Sequence, residues 1–519
     1  MHEPWKQAAI LAAITLAVFF PTLSAEFVYD ARLQIVTGDF IHDPWNWLPV
    51  LSFGVLGMDV LDFNRPVQLA SLMLDAAVWG REPFGYHLTS VLLHAANVVM
   101  VWGVVSGLVR GAGTATQQAA LLAAVLFAVH PVVTEAVCEP TFREDLLATA
   151  FSLGALLLAI RHDPKAAARA IGRDRWRAVG CAACCLLAVA SKESGFAAPL
   201  LVAIYWWLFR RDEPRGFWQA AIGGGTVATA AFLAARFLLE PAQSAIFEAK
   251  PAYPGGSLAA AMLIELRILA LYAQLIALPL NLCADYGLYS VRHLPLPVAL
   301  VLLAVLAAAA VWAVRADRRM AFAIAMIALP LLPVANLIPI YRAAADRYLY
   351  FPLAGVAVAL GLLLDAPWLA ARPRLREGFR IGCMAAAVLL GMACMERQKV
   401  WATPLALWED TYRKNPVAYT AASGLGEALR EAGRLTEAEK ATREAIRLSD
   451  EKRGDTWATL ALILDGQGRD AEAKAALAKA IAIDPKLADP DARVRALAME
   501  RNIAEELKRL LKTASLSGG

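Results

Sequence analysis

Residues 295–314 read PLPVALVLLAVLAAAAVWAV, a run of twenty residues without one charged side chain. As a helix rising about 1.5 Å per residue, this run is about 30 Å long, which is the thickness of the hydrocarbon core of a bilayer. Similar apolar runs recur as far as residue 396, and each predicts a membrane-spanning helix. The eleven predicted spans are 7–24, 87–109, 115–133, 144–160, 177–191, 195–209, 217–239, 295–314, 320–340, 348–365 and 379–396.

The composition agrees with a large membrane domain. Of the 519 residues, 59% are hydrophobic and 18% are charged, whereas a soluble domain is about 45–50% apolar and about 25% charged. An ordinary soluble enzyme is therefore excluded. The net charge of +4 is too small to indicate nucleic-acid binding. The last stretch is rich in Ala, Glu, Lys and Arg, so we predict a membrane domain over 1–396 and a second domain over 397–519.

One further apolar segment, roughly 257–280, is predicted not to cross the bilayer. It contains Glu265 and Arg267, whose charges are costly at bilayer depth, so we expect an interfacial or re-entrant helix. Loops rich in Lys and Arg mark the cytoplasmic side of a membrane protein. The basic loops of this chain all lie on one side of the bilayer only if the segment 257–280 does not cross it. The four basic loops are 161–177, 210–215, 315–319 and 372–376.

Eleven crossings place the N-terminus in the cytoplasm and residues 397–519 outside. The first span is interpreted as a retained helix and not as a cleaved signal peptide, since further spans follow it. The Ala-rich composition, with more Arg than Lys, suggests a bacterial inner membrane, in which the external side is the periplasm. The predicted external loops are 25–86, 134–143, 192–194, 240–294 and 341–347.

The first external loop, 25–86, is far longer than a connection requires, and loops of this length are usually functional or disordered. Its many aromatic residues argue against disorder. Most of its acids fit a solvated loop. Asp30 is different, because it follows the first span within a few residues and is held near the membrane surface. A carboxylate there could act as a general base while the other reactant is carried by a lipid.

Several short motifs lie near the predicted span ends. They include Phe27-Val28-Tyr29-Asp30, Asn64-Arg65-Pro66-Val67, Gly85-Tyr86-His87-Leu88, Leu93-His94-Ala95-Ala96-Asn97, Phe127-Ala128-Val129-His130-Pro131, Arg143-Glu144-Asp145-Leu146-Leu147, Ser191-Lys192-Glu193, Asp285-Tyr286 and Asp346-Arg347-Tyr348-Leu349-Tyr350. With their order along the whole chain, they resemble the membrane-embedded GT-C glycosyltransferases. The chain is most similar to the transmembrane and tetratricopeptide-repeat-containing O-mannosyltransferases and their bacterial relatives.

The resemblance implies a polyprenyl- or dolichyl-phosphate-linked sugar as donor and an acid near the end of the first span as catalytic base. Asp30 matches the first acid of the family's Asp-Asp pair, and Ala31 occupies the place of the second acid. One carboxylate suffices for an inverting displacement in which it deprotonates the acceptor hydroxyl. No covalently bound cofactor is expected, and the lipid-linked sugar is the donor substrate.

A lipid-phosphate leaving group needs cations at the external surface, and Arg347, Arg342 and Lys192 could supply them. The planar donor fork of arginine is well matched to phosphate. We assign Tyr348, in the same motif as Arg347, to substrate binding as well. The alternative for Arg347 is an interfacial anchor before a span. Lys192 could instead form a structural ion pair with Glu193.

Three further residues are candidates for the same cavity. His130 and Glu135 lie where the third span exits, although Pro131 is a common helix terminator and His130 could simply bond a backbone carbonyl. Arg65 could hold Asp30 or contact phosphate, and its alternative is a salt bridge that folds the loop. We predict all three as substrate-binding residues.

No metal site is predicted. His87, His94 and Asn97 share one helix face, but hydrogen bonding between helices is favoured because no carboxylate completes a ligand set. The seven cysteines show no metal-ligand spacing. Cys138 and Cys283 are the two placed in external loops, and chance placement is favoured over a disulfide.

The C-terminal domain contains a repeat with a period of 35, because Gly433, Ala438 and Ala445 recur as Gly468, Ala473 and Ala480. These are tetratricopeptide repeats, which are pairs of helices. Two repeats are fewer than the roughly three needed for stability, so flanking helices must help. We expect half a repeat at 403–415 and a capping helix at 491–512. Such a solenoid binds proteins on its concave face, and the alternative is a structural lid on the membrane domain.

The sequence therefore predicts an all-α protein, a GT-C-type bundle of about eleven crossings followed by an α-solenoid. The predicted function is transfer of a sugar from a polyprenyl-phosphate donor to Ser or Thr hydroxyls of exported proteins, with the repeats binding the acceptor or a partner protein. One alternative is a degenerate scaffold that assembles envelope proteins, for which Ala31 would mark the lost catalysis. Another is a transferase acting on lipid or polysaccharide.

Overall fold

A computed structural model describes residues 4–109, 114–163, 171–240, 251–287, 291, 293–495 and 499–516. Within these ranges the chain consists of helices, turns and loops, without a strand. The predicted all-α class is confirmed. Parts of the predicted loops 161–177 and 240–294 lie outside the described residues, including Lys165 and Arg169 of the first basic loop.

The helices are numbered in chain order. The membrane domain contains α1 (Pro4–Phe19), α2 (Trp47–Leu51), α3 (Pro66–Trp79), α4 (Pro83–Leu108), α5 (Thr114–Val129), α6 (Thr134–Cys138), α7 (Arg143–Ile160), α8 (Ile171–Ser191), α9 (Ala197–Tyr205), α10 (Arg215–Leu239), α11 (Leu258–Ala277), α12 (Leu296–Ala316), α13 (Arg319–Ala328), α14 (Tyr350–Leu364), α15 (Pro367–Ala370) and α16 (Pro373–Val400). The C-terminal part contains α17 (Pro404–Lys414), α18 (Tyr419–Glu431), α19 (Leu435–Leu448), α20 (Gly454–Gly466), α21 (Asp470–Ile483), α22 (Pro490–Arg495) and α23 (Arg501–Leu516).

Among the described helices, seven are long and apolar enough to cross a bilayer, and a pair bent by 49°, Thr116–Val129 with Pro131–Cys138, makes an eighth if it is one span. The seven are Pro4–Ser24, Pro83–Leu108, Arg215–Leu239, Leu258–Ala277, Leu296–Ala316, Asp346–Leu364 and Pro373–Val400. The other predicted spans fold as α7, α8, α9 and α13, which are shorter or begin with charged residues. The chain is a multi-pass membrane protein.

Helix α11 covers the segment that was predicted not to cross. Its length and composition alone would allow a crossing. Its polar contacts are spread over twelve residues, which is about 16 Å of helix. Glu265 accepts from the side chain of Asn336 at 2.8 Å, the hydroxyl of Tyr272 accepts from the N–H of Ala345 at 3.3 Å, and the carbonyl of Ile276 lies 3.0 Å from the His130 ring. All three partners lie at span ends on one face, which favours the interfacial position.

Polar side chains bond across the core that α4, α5, α7 and α14 form. The His94 ring lies 2.8 Å from the hydroxyl of Tyr350 and 3.0 Å from the carbonyl of Ala128. Asn97 donates to the carbonyl of Leu146 at 2.9 Å. The predicted hydrogen bonding between helices is confirmed for both residues. A buried polar group with a partner avoids the cost of desolvation, so these bonds fix the register of the helices.

The two cysteines of the predicted loops are free. Cys138 is buried beside the hydroxyl of Thr22, at 3.4 Å. Cys283 is also buried, and its thiol donates to the carbonyl of Asp285 at 3.3 Å. Each thiol therefore has its own neighbour, and the two are not joined.

The C-terminal part is a solenoid of helical pairs, α18 with α19 and α20 with α21. The alanines at the repeating positions are fully buried, which lets the paired helices approach closely. The two glycines lie at the exposed turns between the paired helices, each with a φ of +73°. The predicted half repeat is α17, which packs on α18. The prediction of one capping helix over 491–512 is wrong, because residues 499 and 500 are not helical and α23 begins at Arg501. Helix α23 still caps the solenoid, burying Leu507 and Leu510.

The solenoid lies on the membrane domain, over the loop 25–86. We call this side of the membrane domain the repeat-bearing face. Helix α16 continues to Val400, past the predicted boundary at 396, and Trp401 behind it is fully buried in the membrane-domain core. Arg32 of the loop pairs with Glu431 and with Glu500, the latter at 2.7 Å. The repeats are therefore fixed to the membrane domain, as the lid alternative expects.

Candidate active site

Asp30 lies just after a sharp bend of the chain. Tyr29 has a φ of +52°, in the left-handed region that residues other than glycine rarely adopt. The chain has no regular secondary structure from Ala25 to Val28 and then enters a helical turn that continues as the π-helix Arg32–Thr37. The bend therefore sets the position of Asp30 relative to the span before it.

The carboxylate of Asp30 lies among charged side chains on the repeat-bearing face, and we call this cluster the recess. Asp30 is an acid of the recess that forms no salt bridge with the described residues. Asp30 is exposed as a residue, and in the part of the chain that the structure describes its carboxylate has neither a hydrogen bond nor an ion pair. Desolvation by the surrounding protein raises the pKa of Asp30 above its ordinary value, and the charges of Arg347 and Arg342 oppose that rise. A carboxylate with a raised pKa and no partner is suited to accept a proton.

Arg347 is held in this recess by Glu135. Its guanidinium forms an ion pair with one carboxylate oxygen, and its backbone N–H donates to the other at 3.0 Å. The guanidinium also lies 3.9 Å from the centroid of the Phe142 ring. The Glu135 side chain is 1% exposed and that of Arg347 is 10% exposed. The two predicted residues thus act as a buried pair whose positive charge still reaches Asp30.

Lys192 reaches the same recess from the turn between α8 and α9. Its ammonium group binds Asp145 and lies 3.5 Å from Glu144. The alternative of an ion pair between Lys192 and Glu193 is wrong, because Glu193 binds Arg236 at 2.9 Å. Lys192 is buried, and these two acids balance its charge inside the protein.

Arg65 forms the salt bridges that its alternative predicted. It binds Asp62 at 2.9 Å in its own loop and Glu144 at 3.3 Å on α7. Burial raises the pKa of Asp62 to about 6, although the charge of Arg65 lowers it. The charge of Arg65 also acts on Asp30. Arg65 therefore ties the first loop to the bundle beside the recess and does not bind Asp30 directly.

Arg342 connects the recess to the repeats. It binds Asp285 at 2.5 Å and lies over the ring of Tyr29 at 5.5 Å from the centroid. The same carboxylate oxygen of Asp285 accepts from the hydroxyl of Thr420, the second residue of α18. A shift of the repeats relative to the membrane domain would therefore displace Arg342. Through Tyr29 it would also change the position of Asp30.

Tyr348 lies within the cluster and His130 bonds elsewhere. The ring of Tyr348 is 5.2 Å from the cations of Lys192 and Arg347, and its hydroxyl donates to the carbonyl of Arg342 at 3.2 Å. One nitrogen of His130 accepts from a backbone N–H, so the other donates to the carbonyl of Ile276 at 3.0 Å. The alternative of a backbone bond therefore describes His130.

Several charged residues of the cluster were absent from the predicted site. Glu144 and Asp145 balance Lys192 and Arg65, and Asp285 balances Arg342. All three lie in motifs that carried the family resemblance, and this was the signal available in the sequence. In the described residues there is no group of three or more His, Cys, Asp or Glu side chains placed to hold a metal ion.

The recess combines one unpaired carboxylate with four cations, Arg65, Lys192, Arg342 and Arg347. Every cation is matched by an acid other than Asp30. Arg342 is the more exposed of the two arginines that act most strongly on Asp30, at 26% against 10% for Arg347. The arrangement is able to deprotonate a hydroxyl at Asp30 and to stabilise an anion beside it.

Comparison with known proteins gives one family match and several relatives. The family model "Tetratricopeptide repeat" matches residues 454–487, which include α20 and α21. Human "Protein O-mannosyl-transferase TMTC2" is 31% identical over 202 residues, 38% of this chain and 23% of that protein. "Protein O-mannosyl-transferase F38B6.6" of Caenorhabditis elegans is 27% identical over 293 residues, 54% of this chain and 39% of that protein.

A third relative, "Protein O-mannosyl-transferase Tmtc1" of Drosophila melanogaster, is 31% identical over 166 residues. The matched part of the chain spans 19–39% of the length of these three relatives. No solved structure matches the chain. The predicted resemblance to O-mannosyltransferases with tetratricopeptide repeats is confirmed.

Proposed function

We propose that the chain is a membrane glycosyltransferase that moves a sugar from a polyprenyl-phosphate-linked donor to a Ser or Thr hydroxyl of an exported protein. The observation that carries the proposal is the carboxylate of Asp30, unpaired among the described residues, on which the charges of Arg347, Arg342 and Arg65 act. The relatives named protein O-mannosyl-transferase support protein O-glycosylation as the class of reaction. Mannose is the sugar that their names suggest.

In the proposed reaction Asp30 removes the proton of the acceptor hydroxyl. The hydroxyl oxygen attacks the anomeric carbon of the sugar, and the bond from that carbon to the lipid phosphate breaks. The negative charge develops on the departing phosphate, and Arg342 is placed to meet it because it is the more exposed cation. Arg347 stabilises the same negative charge from the more buried side of the recess. Its neighbours there are Tyr348, Glu135 and Lys192.

Several features of the recess support a donor that arrives within the bilayer. The site lies at the ends of spans, where a lipid-borne phosphate would be at the depth of Arg347, which precedes α14. Arg65 fixes the loop on the other side of Asp30. His130 contributes by fixing α11 beside the recess. No covalently bound cofactor is needed, because the donor sugar is already activated by its phosphate.

The proposal assigns transfer to residues 1–396 and binding of the acceptor, or of a partner protein, to residues 397–519. The solenoid is fixed over the loop that carries Asp30, so an acceptor held by the repeats would lie next to the base. The basic loops favour a cytoplasmic N-terminus, with the recess and the repeats in the periplasm of a bacterium.

A catalytically inactive scaffold is the second candidate. The observation in its favour is Ala31, which stands where the resemblance expects a second acid. A scaffold would use the same fixed solenoid to assemble envelope proteins, without any sugar transfer.

The experiment compares the envelope glycoproteins of three strains, which carry the intact gene, no gene, or Asp30→Asn. Peptide mass spectrometry detects hexose on Ser and Thr. We expect the hexose to disappear in both altered strains. Hexose that persists with Asp30→Asn contradicts Asp30 as the base. Envelope proteins whose masses are identical in all three strains contradict transfer to protein, and they support the scaffold or a transferase acting on lipid or polysaccharide.

A further inference from the structure

Glu139 faces the chain from which Asp30 projects. It lies between α6 and α7, and its side chain is fully buried. One carboxyl oxygen accepts the backbone N–H of Ala31 at 3.1 Å. The same oxygen accepts the hydroxyl of Thr141 at 2.6 Å and the N–H of Thr141 at 3.4 Å. A membrane-domain carboxyl is therefore bonded directly to the residue after Asp30.

The turn that carries Asp30 requires such a contact. Tyr29 is in the left-handed region, and a side chain in that region persists only where its surroundings hold it. Ala31 is fully buried in the small core formed with Ile35 and Leu69. Its N–H is shared between the carbonyl of Val28, at 3.2 Å within the turn, and the carboxyl of Glu139. Without Glu139 the carbonyl of Val28 alone would hold this N–H.

The second oxygen of Glu139 is buried and has no partner among the described residues. Burial raises the pKa of the Glu139 carboxyl well above its ordinary value, and the charge of Asp30 adds to the rise. The carboxyl of Glu139 thus contacts the turn through one oxygen only.

We propose that Glu139 acts as a positioning residue that holds the Asp30 turn through the N–H of Ala31. This inference rests on the proposed transferase for its kinetic consequences. The hydrogen bond itself is measurable without any activity.

Three variants of the purified full-length protein test the proposal. Glu139→Gln keeps an oxygen that accepts the N–H of Ala31, and Glu139→Leu removes it at similar volume. Thr141→Val is the matched control, because it removes the other strong bond to the same oxygen and leaves the bond to Ala31. Each variant is assayed for kcat and donor KM with a polyprenyl-phosphate-linked mannose and a Ser/Thr peptide. Hydrogen–deuterium exchange is followed at the amide of Ala31.

We expect Glu139→Leu to lower kcat about tenfold, the effect of losing one hydrogen bond of ordinary to charged strength, with donor KM unchanged. The Ala31 amide should then exchange faster. Glu139→Gln and Thr141→Val should keep kcat and the slow exchange.

Two results would overturn the proposal. One is slow exchange of the Ala31 amide in Glu139→Leu. The other is a loss of kcat in Glu139→Gln as large as in Glu139→Leu. If the unaltered protein transfers no sugar to any acceptor, the proposed function has failed, and the exchange of the Ala31 amide alone then decides whether Glu139 holds the turn.

Discussion

The repeats contribute to the active site through Trp408, and this contact can be tested quantitatively. Trp408 of α17 stacks on Tyr29 with ring centroids 5.5 Å apart and an interplanar angle of 24°. Tyr29 is the residue in the left-handed conformation. Such a conformation costs about 1–2 kcal/mol for a residue other than glycine, and a stacked aromatic pair contributes about 0.5–1.5 kcal/mol. The stack is thus comparable to the strain that it offsets.

Trp408→Ala should destabilise the bent conformation of the turn by about 1 kcal/mol, which lowers the population of that conformation about fivefold. We expect kcat for sugar transfer to fall about fivefold while donor KM stays the same, because Arg342 and Arg347 keep their partners. Trp408→Phe should restore most of the rate. The control is Trp457→Ala, which removes a tryptophan of α20 that packs on Lys479. It should destabilise the repeats without lowering kcat.

A second background separates this reasoning from general damage to the interface. Glycine adopts a positive φ without penalty, so Tyr29→Gly removes the need for the stack. In the Tyr29→Gly background, Trp408→Ala should change kcat by less than about twofold. If Trp408→Ala lowers kcat by the same factor in both backgrounds, the stack does not act through the conformation of residue 29, and the reasoning is refuted.

Three further predictions concern charge. Asp30→Asn should lower kcat by about 10²–10⁴, the range for loss of a general base. The unfolding temperature should not fall, because Asp30 has no ionic partner among the described residues. A lower unfolding temperature would contradict this prediction. Arg342→Gln should move the acid limb of kcat/KM to higher pH, since it removes a charge that lowers the pKa of Asp30, whereas Arg342→Lys should leave the limb in place. Asp75→Asn should lower the free energy of unfolding by about 3–5 kcal/mol in denaturant titrations, because it leaves the fully buried Arg143 without its ionic partner at 2.5 Å. An unchanged midpoint of the denaturant titration would refute this prediction.

The helices were predictable because each apolar run must satisfy its backbone internally in a bilayer. The position of Asp30 was predictable for a similar reason, since a carboxylate just after a span is confined to the membrane surface. The charge-bearing motifs added Arg347 and Arg342. Their convergence on one recess depends on how the spans pack, and the sequence pattern does not encode that packing directly.

The pairing of charged side chains was harder to predict from the sequence. Lys192 and Glu193 are adjacent, which suggested an ion pair. Lys192 has an extended backbone, with φ of −160° and ψ of 154°, and successive side chains of an extended chain point to opposite sides. Each residue therefore meets a different helix, with Lys192 facing Asp145.

The broken capping helix also had no local signal. Residues 491–512 contain neither glycine nor proline, so their composition predicts one helix. The second helix begins where Arg501 binds the loop 25–86, donating to the carbonyl of Thr37 at 3.0 Å. Glu500 binds Arg32 of the same loop. Contacts with the membrane domain therefore accompany the break, and they are tertiary contacts that a helical pattern does not reveal.

The most direct test of the account uses the purified full-length protein in lipid nanodiscs. Polyprenyl-phosphate-linked mannose with a radiolabelled sugar is the donor, and a Ser- and Thr-containing peptide is the acceptor. The account predicts label on the peptide hydroxyls with the unaltered protein and none above background with Asp30→Asn, at equal unfolding temperatures. Equal labelling by both proteins would contradict Asp30 as the base, and the absence of labelling by either would contradict the proposed transferase.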